Sequence, residues 1–120
     1  MINIKKTLLV LLLFLVYIIF MLFPRGLFIE VLGGDNFGHI YLNSILTIIT
    51  LLIINNKKLI LSLLAIITLT TLIEFMQLFT TRSFSVYDLG YNVIGIILGV
   101  ILYKLLILSI KNLGVFIKKI

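Results

Sequence analysis

The chain has 120 residues, of which 62% are hydrophobic and 12% charged, whereas a soluble domain is about half apolar and a quarter charged. This composition excludes a soluble globular domain. The chain lacks cysteine and has one histidine, His39, which excludes disulfide scaffolds, thiolate metal sites and multi-histidine metal sites, so we expect no metal and no cofactor. The net charge of +6 does not indicate a nucleic-acid partner, because the lysines are dispersed among apolar runs rather than gathered on one face.

Four apolar runs follow one another along the chain, and each is long enough to cross a bilayer as a helix. Continuous runs of this length favour a helix bundle over an outer-membrane barrel, whose strands alternate between apolar and polar residues. The sequence therefore predicts an all-α, polytopic membrane protein with a single domain over 1–120. Its four transmembrane helices are expected at about 7–23, 36–54, 59–79 and 86–108.

The two ends of the chain need separate interpretation. The first run follows two lysines, as in a signal peptide, but it ends without a small-residue cleavage site, so we interpret it as a retained anchor. After the fourth run, Lys104, Lys111 and Lys118 are spaced seven apart and share one helical face. This spacing predicts a basic amphipathic tail over 109–120 that lies along the membrane headgroups.

The positive charges predict the orientation. Of the ten basic residues, only Arg25 and Arg82 lie on the side opposite to that shared by the two termini and the loop after the second helix. Because cytoplasmic loops carry an excess of lysine and arginine, both termini are expected in the cytoplasm. The acidic residues then lie on the outer side or in the outer half of the membrane: Glu30, Asp35, Glu74 and Asp88.

Polar residues form stripes at helical spacing on three of the predicted helices, and the stripes reach a common depth near the outer surface. Polar groups that face lipid cost several kcal/mol, so we expect these side chains to point inward around a polar pocket that opens to the outside. The alternative is a hydrogen-bond network that only holds the bundle together. The stripes are Asp35, His39 and Asn43 in the second helix, Glu74 and Gln77 in the third, and Asp88 and Asn92 in the fourth.

Two further patterns have a structural interpretation. Gly95 and Gly99 form a small-xxx-small pair, which indicates close helix packing. The aromatic residues near the ends of the runs are expected to face lipid or to form an interfacial belt. They are Tyr17, Phe20, Phe79, Phe84 and Tyr87.

The spacing of the later polar residues resembles the motif of the VanZ-like family of small bacterial membrane proteins. Glu74 and Gln77 are similar to its E-x-x-Q element, Arg82 follows, and Asp88 and Asn92 open its D-x-x-x-N-x-x-G element. Upstream, Asp35 and His39 are similar to the D-x-x-x-H of that family, with Asn43 at a position where an aromatic residue is frequent.

The resemblance implies a multi-pass protein of the bacterial cytoplasmic membrane. It also implies a role at the cell envelope, because the family takes its name from a protein that gives low-level resistance to the glycopeptide teicoplanin. It implies seven functional positions: Asp35, His39, Glu74, Gln77, Arg82, Asp88 and Asn92. Arg82 can make bidentate contacts with a phosphate or carboxylate, either of a ligand or of an internal partner such as Asp88.

Three classes of function remain open. The first is a protein that does not catalyse a reaction but binds an envelope lipid, a cell-wall precursor or a glycopeptide, and so modulates teicoplanin susceptibility. The second is a small transporter that couples transport to protonation of Glu74, and the third is a lipid-modifying membrane enzyme that uses Asp35, His39, Glu74 and Asp88 as acid, base or metal ligands. We favour the first. Membrane lipids are its expected partners, and a second copy of the chain is the other partner that we consider.

Overall fold

A computed structural model describes residues 3–22, 35–54, 58–79 and 85–119, and Asp35 only through its backbone. These residues form four α-helices and one short 3-10 turn. Each helix is long and apolar enough to cross a membrane, which agrees with the predicted all-helical, multi-pass fold. Membrane insertion and the orientation of the termini stay predictions. The helices are α1 (Ile4–Leu22), α2 (Asp35–Ile54), α3 (Leu59–Met76) and α4 (Val86–Lys119), and the 3-10 turn is Gln77–Phe79.

The fourth helix is longer than the sequence analysis predicts. It continues from Val86 to Lys119 as one helix of 34 residues, so the described residues contain no break between the fourth span and the basic tail near Leu108. At 1.5 Å per residue the helix is about 51 Å long, whereas the hydrocarbon layer of a bilayer is about 30 Å thick. Residues 104–119 of α4 are all exposed, so its last turns, with Lys111 and Lys118, extend beyond the part that packs on the other helices.

The first helix begins at a side-chain cap and buries only a narrow face. Oδ1 of Asn3 accepts hydrogen bonds from the backbone N–H of Lys5 at 3.1 Å and of Lys6 at 3.4 Å, as expected for an N-cap residue. Tyr17 and Met21 are the buried residues of α1. Most of its leucine and isoleucine side chains are exposed, as lipid-facing positions of a membrane helix would be.

Helices α2 and α4 pack most closely, and glycine makes this possible. A Cβ atom added at Gly95 would lie 2.6 Å from the backbone oxygen of Ile40, and one added at Gly99 would lie 2.7 Å from Cβ of Thr47. The Ser44 hydroxyl donates a hydrogen bond of 2.9 Å to the backbone oxygen of Gly95. The two backbones therefore meet along the glycine face of α4, as the small-xxx-small spacing indicates.

The chain direction alternates, so the bundle has two chemically different ends. The end that we call the cluster end is formed by the last turns of α1 and α3 and the first turns of α2 and α4, and it holds the buried polar side chains. The end that we call the lysine end is formed by the first turns of α1 and α3 and the last turn of α2, and it includes Lys5, Lys6 and Lys58. Apolar residues fill the space between the helices, among them Leu46, Ile66 and Ile96.

Candidate functional site

The cluster end brings together polar side chains that are far apart in the sequence. The members that we call the polar cluster come from all four helices and the 3-10 turn, and each is at most 5% exposed. Polar groups with so little exposure need partners within the protein, because no water is available to solvate them. The polar cluster consists of Tyr17, His39, Asn43, Glu74, Gln77, Asp88 and Asn92.

At the centre of the cluster, three hydrogen bonds follow one another from Tyr17 to Glu74, and each is donated in the direction of Glu74. The hydroxyl of Tyr17 donates to Oδ1 of Asn43 at 3.0 Å, and Nδ2 of Asn43 donates to Oδ1 of Asn92 at 2.7 Å. Nδ2 of Asn92 in turn donates to Oε1 of Glu74 at 3.3 Å. Each donor polarises the next one, so the chain connects α1 to the carboxyl group of Glu74 in α3.

His39 lies between the two carboxylates of the described cluster. Its Nδ1 is 2.9 Å from Oδ1 of Asn92 and 3.5 Å from Oε1 of Glu74, and its Nε2 is 3.7 Å from Oδ2 of Asp88. Because Oδ1 of Asn92 can only accept, Nδ1 carries a proton and donates to it. The ring thus places its protonated Nδ1 toward Asn92 and Glu74 and its Nε2 toward Asp88, and both carboxylate separations are longer than a typical hydrogen bond.

The same three ionisable side chains could also ligate a cation. One ligand atom from each of His39, Glu74 and Asp88 lies within 4.8 Å of the others, and a nitrogen with two carboxylate oxygens suits a divalent metal ion. In the observed arrangement, however, the two carboxylates face different nitrogens of the imidazole.

Gln77 connects the cluster to the first helix. It stands at the start of the 3-10 turn that ends α3, and its Nε2 donates a hydrogen bond of 2.9 Å to the backbone oxygen of Met21. That oxygen belongs to the last turn of α1, where backbone oxygens lack partners within the helix. Gln77 therefore satisfies a helix terminus and holds α1 against α3 beside Glu74.

The prediction that Tyr17 faces lipid or forms part of a belt is wrong. Tyr17 is only 5% exposed, and its hydroxyl begins the hydrogen-bond chain toward Glu74. The physical reason is that a phenolic hydroxyl within an apolar span needs a partner, and Asn43 supplies one. Phe20, Phe79 and Tyr87 are exposed, as expected. Phe84 lies outside the described residues.

The other predicted site residues divide into two groups. The side chains expected to point inward from α2, α3 and α4 are buried and in contact, although their role in binding stays a prediction. The side chain of Asp35 and the whole of Arg82 lie outside the described residues. So do residues 23–34 and 80–84, which connect the helices at the cluster end, and the expected opening of the pocket to the outside therefore also stays a prediction.

Comparison of the chain with protein-family models, with curated proteins and with solved structures finds no match. The resemblance to the VanZ-like family therefore rests on the spacing of the motif residues alone.

Proposed function

We propose that this chain is a multi-pass membrane protein of the bacterial cell envelope that binds the polar headgroup of an envelope lipid or cell-wall precursor at the polar cluster. Binding there alters susceptibility to glycopeptides of the teicoplanin type. The observation that carries this proposal is the Glu74 carboxylate, which is fully buried within an apolar helix bundle at the acceptor end of a hydrogen-bond chain. An ionisable group inside a membrane-spanning helix is costly, and it is retained most often where it has a function.

The depth of the cluster supports a headgroup ligand. Asp88 is two residues into α4 and His39 is four residues into α2, so both lie within about 6 Å of the helix ends along the axis. Polar groups at this depth are just below the level of lipid headgroups. A headgroup would reach them without entering the apolar middle of the bundle.

The chemistry of the cluster also suits such a ligand. Glu74 and Asp88 can accept hydrogen bonds from ligand hydroxyl and amide groups, and His39 and Asn92 can donate to phosphate or carbonyl oxygens. Arg82, which lies between α3 and α4 in the sequence, would add a planar donor for a phosphate or carboxylate. Sugar, peptide and phosphate groups of cell-wall precursors offer all of these partners.

Expression in a teicoplanin-susceptible Gram-positive bacterium tests the proposal. The chain is expected to raise the minimal inhibitory concentration of teicoplanin, and Glu74→Gln and His39→Gln are expected to remove that effect. Thr70→Val is the matched control, because Thr70 is buried in α3 but bonds only within its own helix among the described contacts. Membrane abundance of each variant is measured alongside. An unchanged inhibitory concentration with the unaltered chain would contradict the proposal.

Binding is measured directly on the purified chain in detergent, with a cell-wall precursor analogue that carries a short polyprenyl chain as the probe. Native mass spectrometry is expected to show one bound precursor on the unaltered chain and on Thr70→Val, and much less on Glu74→Gln. Equal occupancy of Glu74→Gln and Thr70→Val would exclude the polar cluster as the binding site.

A second candidate function is an enzyme that modifies an envelope lipid, and the position of His39 between Glu74 and Asp88 favours it. A histidine whose two nitrogens face carboxylates can move a proton from one side to the other, as a general acid and base does. Incubation of the purified chain with an envelope lipid extract distinguishes the candidates. A lipid product that is absent with His39→Gln would indicate an enzyme, whereas unchanged lipids together with precursor binding would support the binding protein.

A further inference from the structure

A second feature of the bundle lies at the lysine end, away from the polar cluster. A cavity of about 510 Å³ opens there between α1 and α3 and is closed on a third side by the last turns of α2, near Thr50 and Ile54. Its volume lies within the range of roughly 300 to 1,000 Å³ that is typical of small-ligand sites. The proposed function does not use this cavity.

The cavity is a groove with a polar mouth and apolar walls. Along α1 its lining residues recur at spacings of three and four, from Asn3 and Lys6 at the mouth to Phe14 at the inner end, a distance of about 16 Å along the helix. Along α3 the lining begins at Lys58 and reaches Ala65. Because α1 and α3 run in the same direction, the polar first turns of both helices lie at the same end of the groove.

The mouth favours an anion. Lys6 and Lys58 stand on opposite helices that flank it, and the N-termini of both α1 and α3 carry the positive ends of their helix dipoles there. The N-cap residue of α3, Lys58, makes no side-chain capping hydrogen bond, whereas Asn3 caps α1. Backbone N–H groups at a helix N-terminus are well suited to phosphate oxygens.

The inner part of the groove favours a hydrocarbon chain. Val10, Leu11 and Phe14 of α1 and Leu61 and Ala65 of α3 line it, and apolar atoms make up most of its surface. An anionic group at one end and an apolar channel behind it match the two parts of a phospholipid. A free phosphate would use only the mouth, and a neutral lipid would use only the apolar channel.

We propose that the groove between α1 and α3 binds one anionic phospholipid, with its headgroup phosphate between Lys6 and Lys58 and one acyl chain along Val10, Phe14 and Ala65. The site is independent of the polar cluster, at the other end of the bundle. In the orientation that the lysines predict, it faces the cytoplasmic leaflet, where anionic lipids attract basic groups.

The test uses the full chain in a mild detergent, with dioleoyl phosphatidylglycerol and dioleoyl phosphatidylcholine as probes and native mass spectrometry as the measurement. The unaltered chain is expected to bind one phosphatidylglycerol at least tenfold more tightly than phosphatidylcholine, since each lysine near a headgroup adds a favourable electrostatic interaction. The double variant Lys6→Gln with Lys58→Gln is expected to lose this preference. The control is Lys111→Gln with Lys118→Gln, which removes the same charge from exposed positions of α4.

A second variant tests the apolar part of the groove. Ala65→Phe keeps both lysines and places a large side chain in the channel, so it is expected to weaken binding of both lipids several-fold while its thermal stability without lipid stays that of the unaltered chain. Equal phosphatidylglycerol binding by the two double-lysine variants would overturn the proposal. Displacement of the lipid by inorganic phosphate at the same concentration would also overturn it. The same holds if Ala65→Phe converts a dimer into a monomer but keeps the bound lipid.

Discussion

Nδ2 of Asn92 lies 3.3 Å from Oε1 of Glu74, so the polar stripe of α4 ends on the carboxylate of α3. Asn92 also accepts hydrogen bonds from Asn43 and from His39 through its Oδ1. A single amide thereby connects three helices. It passes the donor chain from Tyr17 on to the buried carboxylate, which makes Glu74 the residue on which the cluster converges.

Replacement of Glu74 by glutamine separates function from structure. Glutamine keeps the volume and the acceptor oxygen for Asn92, so we expect the protein to stay folded, with a loss of about 1 kcal/mol in stability. The ionisable carboxyl group at the end of the donor chain is removed, so we expect the effect on teicoplanin susceptibility to disappear. Thermal unfolding in detergent and the inhibitory concentration at equal membrane abundance measure the two effects. Retained function in Glu74→Gln would mean that the cluster only holds the bundle together.

Tyr17→Phe tests the first link of the donor chain. Loss of the hydroxyl leaves Oδ1 of the buried Asn43 without this donor, which is expected to cost about 1 kcal/mol and to weaken function while Glu74 is intact. Tyr87→Phe removes a hydroxyl from a residue that is 80% exposed and serves as the control. If the two variants had the same stability and the same inhibitory concentration, the hydroxyl of Tyr17 would contribute neither to stability nor to function.

The sequence predicts the meeting of the polar stripes because the rise of a helix is fixed. Counting residues from the ends of the apolar runs places His39, Glu74 and Asn92 at one depth, and the hydrogen bonds between them follow from that depth. The direction of the hydrogen-bond chain cannot be counted in this way. It depends on side-chain rotation and on which helices are neighbours.

Tyr17 and the fourth helix show where sequence reasoning fails. A single tyrosine in an apolar span does not indicate which side of the helix faces the protein, because α1 has no polar stripe to fix its rotation. The continuation of α4 to Lys119 is also hard to predict, because the glycine at position 114 disfavours a helix. Gly114 nevertheless lies within α4 without ending it, and the lysines on either side are good helix formers. The groove at the lysine end exists because α1 packs beside α3, and hydropathy does not show which helices are neighbours.

The predicted orientation can be tested because the natural chain lacks cysteine. Single cysteines at Gly34 and at Asn55, both outside the described residues, fall on opposite sides of the membrane in that orientation. In intact cells an impermeant thiol reagent is expected to label Gly34→Cys and to leave Asn55→Cys unlabelled until the membrane is permeabilised. The reverse pattern would place the polar cluster on the cytoplasmic side and exclude binding of an outer-leaflet ligand.

The contact between α2 and α4 predicts that two glycine-to-alanine substitutions in α4 differ strongly in their effect on thermal stability. In Gly95→Ala the new Cβ would lie 2.6 Å from the backbone oxygen of Ile40 and 2.8 Å from Cβ of Asn43, so the helices must separate beside the cluster, at an expected cost of about 1 to 3 kcal/mol. Gly114→Ala is the matched control, because nothing lies within 4 Å of its new Cβ and alanine is the better helix former by up to about 1 kcal/mol. Thermal unfolding in detergent is therefore expected to shift down for Gly95→Ala and to stay level or shift up for Gly114→Ala. Because the backbone of α2 cannot yield as a flexible side chain would, equal melting temperatures would show that α2 and α4 do not pack through Gly95.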